Sequence, residues 1–159
     1  MLDLLAFPDN ARVWIYPAAT PIDENRIQEC LDDITEFVRN WRSHQVDLVA
    51  TGGILHHQFI VLVVDEKRNL PGGCSIDKSV HFIQSMNIKY KVDFLQRMIF
   101  QYIEGESVKN IAMHKLKEAY DHGEIGDDTL FFDHLVQRKD EFISSWLKPL
   151  KNSWHYRLI

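Results

Sequence analysis

Six apolar residues without alternation stand together at Phe59-Ile60-Val61-Leu62-Val63-Val64. A strand with one exposed face alternates apolar and polar side chains, so an unbroken apolar run is typical of a strand that is covered on both faces. The run therefore predicts a central strand over residues 58–65. Residues 46–55 predict a second strand, which Gly52-Gly53 interrupts with a bulge or shortens with a loop.

Local signals predict two elements before this pair of strands. Arg12-Val13-Trp14-Ile15-Tyr16 is rich in β-branched and aromatic residues and predicts a short strand that Pro17 ends. Thr20 is the expected N-cap of a helix with Pro21 at its first position, and apolar residues at steps of three and four extend that helix to about residue 43.

The second half of the chain shows similar signals. Helices are expected over residues 75–87, 113–122 and 137–147, a hairpin over 97–103 and 108–112, and a last strand over 129–132. Local hairpins among helices favour α+β over a doubly wound sheet. We predict a single α+β domain over residues 1–159, with a mixed, mostly antiparallel sheet of about six strands packed with about four helices.

Composition limits the possible partners. Eighteen basic and 23 acidic residues among 159 give a net charge of −5, which opposes attraction to nucleic acid. No stretch is apolar enough for a membrane span, and the first residues do not resemble a secretory signal, so a cytoplasmic location is expected. Cys30 and Cys74 are the two cysteines and are expected to be reduced thiols.

The most informative loop covers residues 67–73 and leads into the second predicted helix. A cysteine at a helix N-terminus has its thiolate stabilised by backbone N–H groups and the helix dipole. Helical spacing places Cys74, Asp77 and His81 on one face, so they are candidate catalytic residues: Cys74 as nucleophile, His81 or a distant histidine as base, and Asp77 as orienting group. Cys74 and His81 are nevertheless two turns apart, about 10 Å along the axis, which opposes direct contact.

The same loop has two other interpretations. In the first, it binds a ligand or anion through Gly73 and Ser75, together with Trp154 and His155 of the C-terminal tail. In the second it is structural. Gly73 then makes the turn, Ser75 or Asp77 caps the helix, Cys74 packs as a small apolar residue, and His81 is an exposed partner of Asp77.

Nucleotide and metal chemistry are less well supported. Residues 72–79 match the phosphate-binding pattern G-x-x-x-x-G-K-[ST] except that Asp77 replaces the second glycine, which places a carboxylate where phosphate must approach. ATPase activity is therefore not expected. His56 and His57 are adjacent in sequence, and since adjacent residues in extended backbone point to opposite sides, at most one of them could join a site near the loop. We therefore predict no metal site and no other cofactor.

Three segments together resemble a known family. They are Val13-Trp14-Ile15-Tyr16, the stretch from Gly73-Cys74-Ser75-Ile76-Asp77 to Ser79-Val80-His81-Phe82-Ile83, and Pro149-Leu150-Lys151-Asn152-Ser153-Trp154-His155. The chain is similar over almost its whole length to an uncharacterised family of bacterial proteins, found chiefly in Bacteroidetes, whose members are sometimes labelled ABC transporter ATPase. The resemblance implies a bacterial, cytoplasmic, stand-alone domain and no particular activity.

Two functions follow as hypotheses. The first is an accessory domain that binds an unidentified protein or small-molecule ligand through residues 72–81. The alternative is a small cysteine-dependent enzyme, a hydrolase or transferase, with Cys74 as nucleophile. Either could be a monomer or a homodimer.

Overall fold

The computed structural model describes residues 2–67 and 72–159, and within them it has an α+β arrangement of nine strands and four helices. The strands are β1 (Arg12–Pro17), β2 (Arg42–Ser43), β3 (Val46–Asp47), β4 (Ala50–Leu55), β5 (Phe59–Val64), β6 (Ile99–Glu104), β7 (Ser107–Ala112), β8 (Leu130–Phe132) and β9 (Leu147–Pro149). The helices are α1 (Ile27–Asn40), α2 (Gly73–Tyr90), α3 (Leu116–Asp121) and α4 (Lys139–Ser145). The predicted fold class is confirmed.

The strands form three antiparallel sheets, where one sheet was expected. Their orders are β1-β5-β4, β2-β3 and β7-β6-β8-β9. The first and third sheets meet where Arg12 bridges to Arg138 and the Val13 N–H donates to the Gln137 carbonyl at 2.9 Å. Beyond that point, the outer edge of β1 pairs with no other strand among the described residues.

The apolar run is the centre of the first sheet, as predicted. All six residues of β5 are buried. Ile60, Leu62 and Val64 pack in the core beneath α1 and α2. Phe59, Val61 and Val63 pack on the opposite face against Phe132, Phe142 and Trp146. Each buried side chain contributes about 1.5–3 kcal/mol, which explains why no polar residue interrupts the run.

The predicted interruption at Gly52-Gly53 is wrong. Both residues pair in register with β5, opposite Leu62 and Val61. Gly52 is required by packing, because a Cβ there would lie 2.9 Å from Ile34 Cγ2 of α1 and 2.9 Å from Leu62 Cδ2. The glycine thus allows α1 to approach β4 closely. The predicted strand over 46–55 is instead divided into β3 and β4.

The predicted start of the first helix is also wrong. A 3₁₀ turn at Glu24–Arg26 precedes α1, and Thr20 does not cap either element. The Ala18 N–H donates to the Gln58 carbonyl and the Ile22 N–H to the His57 carbonyl, at 2.8 and 2.7 Å. These bonds hold residues 18–22 against the β4–β5 turn, so the helix begins later in the chain than predicted.

The hairpin of β6 and β7 is confirmed, with Gly105 in its turn at a φ of 63°. The last helix is shorter than predicted, because Leu147 leaves it to begin β9 and pairs with Phe132. In the described part of the chain, no helix has the length and apolarity that a membrane crossing requires.

Candidate functional site

The predicted catalytic residues lie on α2, which begins two residues earlier than expected. Gly72 is its N-cap, and Cys74, Asp77 and His81 are all exposed. Cys74 and His81 are seven residues apart in one helix, about 10 Å along the axis. Asp77 and His81 share no hydrogen bond or ion pair that the structure describes. The helix therefore does not assemble a thiol, imidazole and carboxylate into one group.

Exposure of Cys74 also contradicts the expectation that it packs as a small apolar residue.

Part of the predicted loop, residues 68–71, lies outside the described residues. The loop residue Gly73 lies in the first turn of α2, with no heavy atom within 4 Å of the position a Cβ would take.

Ser75 has a structural role. It is buried, and its hydroxyl donates to the Arg42 carbonyl at 2.9 Å. The indole N–H of Trp41 donates to the Ser75 carbonyl, also at 2.9 Å. Neither Ser75 nor Asp77 makes a capping bond, so the predicted side-chain cap is wrong. Buried Ser75 instead attaches the start of α2 to the β2–β3 hairpin.

The two C-terminal residues predicted with the loop lie elsewhere. Trp154 and His155 belong to the 3₁₀ turn Trp154–Leu158. Their rings contact Phe100 with centroid distances of 5.3 and 4.7 Å, in the core of the third sheet. Helix α2 packs in a different core. The predicted site thus divides into two separate places.

Trp154 and His155 line an inner chamber of about 90 Å³, together with Phe100 and His134. The indole N–H of Trp146 donates to Nδ1 of His134 at 3.1 Å. Because an indole nitrogen only donates, Nδ1 is unprotonated and the ring proton is on Nε2. Nε2 then donates to Oε1 of Gln101 at 2.9 Å. The contacts therefore fix His134 as a neutral imidazole.

Buried amides continue this network. Nε2 of Gln101 donates to Oδ1 of Asn110 at 3.2 Å and contacts the Ala18 carbonyl at 3.4 Å. Gln58 donates to the same two oxygens at 2.9 Å. Such a network orients the imidazole and resists rearrangement, because Gln58 and Gln101 are buried and their amides would lose hydrogen-bond partners.

Both chamber histidines are neutral near pH 7. Burial, followed by the neighbouring His155, lowers the pKa of His134 to about 3. Burial lowers the pKa of His155 to about 4. Nδ1 of His155 lies 3.0 Å from the hydroxyl of Ser153. The two imidazoles of the inner chamber therefore offer polar groups without a charge.

An outer groove of about 480 Å³ runs along β1 and continues into the chamber. Five residues line both spaces: Ile15, Leu95, Arg97, His134 and Leu135. The groove opens because residues 134–136 diverge from β1 after the contact of Val13 with Gln137. We call the groove and the chamber together the β1 cleft.

The β1 cleft is positively charged. Arg12 and Arg97 line it, and no aspartate or glutamate does. Neither arginine has a carboxylate partner among the described residues. The guanidinium carbon of Arg12 lies 5.4 Å from the ring centroid of Trp14, which is a cation–π contact.

Two buried side-chain polar atoms have no hydrogen-bond partner in the described ranges, Nε of Arg12 and Nε1 of Trp154. Both are donors, and both belong to residues that line the β1 cleft. Most buried donors in proteins are paired, so two unpaired donors at one cleft indicate a place where an acceptor from outside the chain is suited.

A second groove, between α1 and α2, has a different character. It encloses about 400 Å³ and is lined by Lys78, Phe82 and Lys89, among others. Lys89 pairs with Asp33 at 2.7 Å, and Phe37 stacks on Phe82 at 4.3 Å. The charges there already neutralise one another, which leaves less demand for a ligand.

Comparison with known proteins found no matching family model, curated protein or solved structure. Membership of the bacterial family that the sequence resembles stays a prediction. In the described part of the chain, no three histidine, cysteine, aspartate or glutamate residues are grouped to hold a metal ion.

Sequence reasoning missed Arg12, Arg97 and His134. Arg12 and Arg97 each begin a predicted strand, and His134 follows another. A polar residue at a strand end is common, so that position alone does not distinguish a site. The distinguishing feature is the lack of a carboxylate partner, which appears only once the strands are assembled.

Proposed function

We propose that the protein is a binding domain that takes a small organic anion with an apolar body in the β1 cleft. This keeps the binding hypothesis of the sequence and moves its site from residues 72–81 to β1. The observation that carries it is the pair of arginines, Arg12 and Arg97, which have no carboxylate partner within residues 2–67 and 72–159 of a protein whose net charge is −5.

The walls of the cleft suit an amphipathic ligand. Ile15, Leu95 and Leu135 line the groove, and Phe100 and Trp154 line the chamber. A carboxylate on the ligand would accept charge-assisted hydrogen bonds from a guanidinium, which are about twice as strong as neutral ones. Its apolar body would bury surface against the aliphatic and aromatic walls.

The proposal is tested by isothermal titration calorimetry with hexanoate, phenylacetate and suberate as probes. We expect at least one of them to bind with a single site, and the neutral analogue hexanamide to bind much more weakly. Arg12→Gln and Arg97→Gln should each reduce the affinity by about ten-fold or more, since a hydrogen bond to a charged group contributes about 1.5–3 kcal/mol.

Arg39→Gln is the matched control, because Arg39 is an exposed arginine of α1 outside the cleft. It should bind as the wild type does. Absence of binding by all three carboxylates at millimolar concentration would contradict the proposal. So would an affinity that neither cleft variant changes.

A second candidate, thiol chemistry, is favoured by the exposure of Cys74 in the first turn of an 18-residue helix. Iodoacetamide labelling at pH 6 tests it, with Cys30 as the internal control. Burial raises the pKa of the Cys30 thiol to about 12, so Cys30 should react only after unfolding. Labelling of Cys74 no faster than a free thiol would argue against a catalytic role.

The absence of ATPase activity stays a prediction, and the helix supports it. In a phosphate-binding loop the backbone N–H groups must be free to surround the phosphate. Residues 73–79 are instead in the first turns of α2, where most of those groups bond within the helix. A cytoplasmic location is likewise proposed, and the free thiols of Cys30 and Cys74 support it.

A further inference from the structure

We propose that the anion of the β1 cleft is a short acidic peptide in extended conformation, which adds to the free edge of β1 at Ile15. This inference rests on the proposed function and names its ligand class. It is carried by the direction of the main-chain groups of β1, by the two arginines, and by the apolar walls.

The hydrogen bonds of β1 show which residues face the free edge. The Ala11 carbonyl accepts from the Lys139 N–H, the Val13 N–H donates to the Gln137 carbonyl, and the Pro17 carbonyl accepts from Nε2 of Gln96. All three residues carry odd numbers. Because main-chain groups alternate in direction along a strand, the N–H and C=O of Ile15 point to the same edge.

Ile15 thus lies on this edge between the bonded N–H of Val13 and the bonded carbonyl of Pro17. It lines both the groove and the chamber. Among the described residues, no side chain and no backbone group outside the β1–β5 pairing bonds its N–H or C=O. A buried or half-buried main-chain pair of this kind is a template for one residue of another chain, as in β-strand addition.

A peptide satisfies this pair better than a simple carboxylate does. The Ile15 N–H needs an acceptor and the Ile15 C=O needs a donor. An ionised carboxylate offers acceptors only, whereas one residue of an extended peptide offers both an N–H and a C=O. The unpaired C=O therefore favours an amide ligand.

The arginines lie towards the two ends of this edge. Arg12 begins β1, and Gln96, the neighbour of Arg97, bonds the carbonyl of Pro17 at the other end. Val13 and Pro17, the bonded residues on either side of Ile15, are four residues apart in β1, which corresponds to about 13 Å. A tripeptide with an acidic residue on each side of its central residue can therefore place one carboxylate towards each arginine, while the central residue pairs with Ile15.

The experiment measures the affinity of wild-type protein for acetyl-Glu-Val-Glu-amide by calorimetry. Two analogues of this parent peptide, which we call the methylated twins, carry one N-methyl group each: the first at the valine and the second at the second glutamate. In an added strand, successive N–H groups point to opposite sides. We expect one twin to bind about ten-fold more weakly, the effect of one lost hydrogen bond, and the other to bind as the parent does.

A protein-side pair adds a second readout. Ile15→Pro removes the outward N–H, which proline tolerates on an edge strand, but it also replaces the Ile15 side chain, which packs at the cleft. Ile15→Val keeps the N–H and therefore measures the effect of a smaller side chain alone. Relative to the valine variant, the proline variant should bind the parent peptide about ten-fold more weakly, the effect of one lost hydrogen bond. The comparison of the twins on wild-type protein does not depend on the folding of either variant.

The outcomes separate the two proposals. If both twins bind like the parent, or both are equally weakened, strand addition is wrong. If suberate binds with dependence on Arg12 and Arg97 while the peptide does not, the ligand class is wrong and the proposed function stands. If neither the peptide nor any carboxylate probe binds, both proposals are wrong.

Discussion

Acidification to pH 5 should destabilise the protein through two histidines of the chamber, half-buried His134 and buried His155. The folded-state pKa values of His134 and His155 are about 3 and about 4, below the ordinary value of 6.5. A histidine that is neutral when folded takes up a proton on unfolding at any pH between its two pKa values. Its stabilising effect is therefore complete above about pH 6.5 and is lost as the pH falls towards the folded value.

The size of the effect follows from these values. Between pH 7.5 and pH 5, each histidine should lower the free energy of unfolding by about 2 kcal/mol. Asp133 opposes the shift at both rings, because its negative charge favours protonation. That influence is limited by the ion pair of Asp133 with Lys148 at 2.8 Å.

Urea denaturation of the wild type, His134→Gln and His155→Gln at the two pH values measures this effect. Each variant should lose about 2 kcal/mol less than the wild type does on acidification. His122→Gln, which removes an exposed histidine, is the matched control and should behave as the wild type. An equal loss in the wild type and both chamber variants would refute the assignment of neutral imidazoles.

Two further substitutions test the packing and the network. Gly52→Ala should lower the free energy of unfolding by about 1–3 kcal/mol, because the new Cβ would lie 2.9 Å from side-chain atoms of Ile34 and Leu62. Gly73→Ala is the control, because a Cβ at Gly73 would meet no heavy atom within 4 Å, and it should leave the free energy of unfolding unchanged in the same urea titration. Equal effects of the two substitutions would contradict the packing argument. Trp146→Phe keeps an aromatic ring but leaves Nδ1 of His134 without its donor, so it should lower the free energy of unfolding by about 1–3 kcal/mol. Tyr156→Phe, which removes an exposed hydrogen bond to Asp127, should lower it by less. No change on Trp146→Phe would show that the indole hydrogen bond is dispensable.

Much of the fold was predictable because local pattern and tertiary environment agree there. The unbroken apolar run of β5 reflects burial on both faces, and both faces are indeed covered. The β6–β7 hairpin depends on neighbouring residues and on the freedom of Gly105 to take a positive φ. Elements that depend on residues close together in the chain can be predicted from the sequence pattern of those residues.

The errors arose where distant contacts overrode local preference. Thr20-Pro21 has the composition of a helix start, yet the bonds of Ala18 and Ile22 to the β4–β5 turn keep that segment extended. Two successive glycines are typical of a break in a strand, yet Gly52 pairs in register with β5 and α1 packs against it. Such contacts join residues more than 15 apart and have no local periodicity.

The candidate site was less predictable than the fold. Trp154 and His155 were predicted to bind a ligand together with the loop of residues 67–73, whereas both line the chamber, in the core of the third sheet. Their partners, Arg12 and Arg97, come from the starts of two strands far apart in sequence. Their convergence depends on how the first and third sheets meet at Val13 and Gln137, a register that no local pattern specifies.

The junction of the two sheets also explains why the cleft is positively charged. The hydrogen bonds of Ala11 and Val13 with residues 137–139 close one end of the β1 edge, and the groove is lined by β1 and by residues 134–137. Half-buried Arg12 lies beside that groove, and its Nε atom has no hydrogen-bond partner among the described residues, which costs stability because a buried donor gives up its hydration without gaining a partner. An anion in the groove supplies such a partner in the folded state alone, so its binding must raise the free energy of unfolding, by about 2.7 kcal/mol at a concentration of one hundred times Kd.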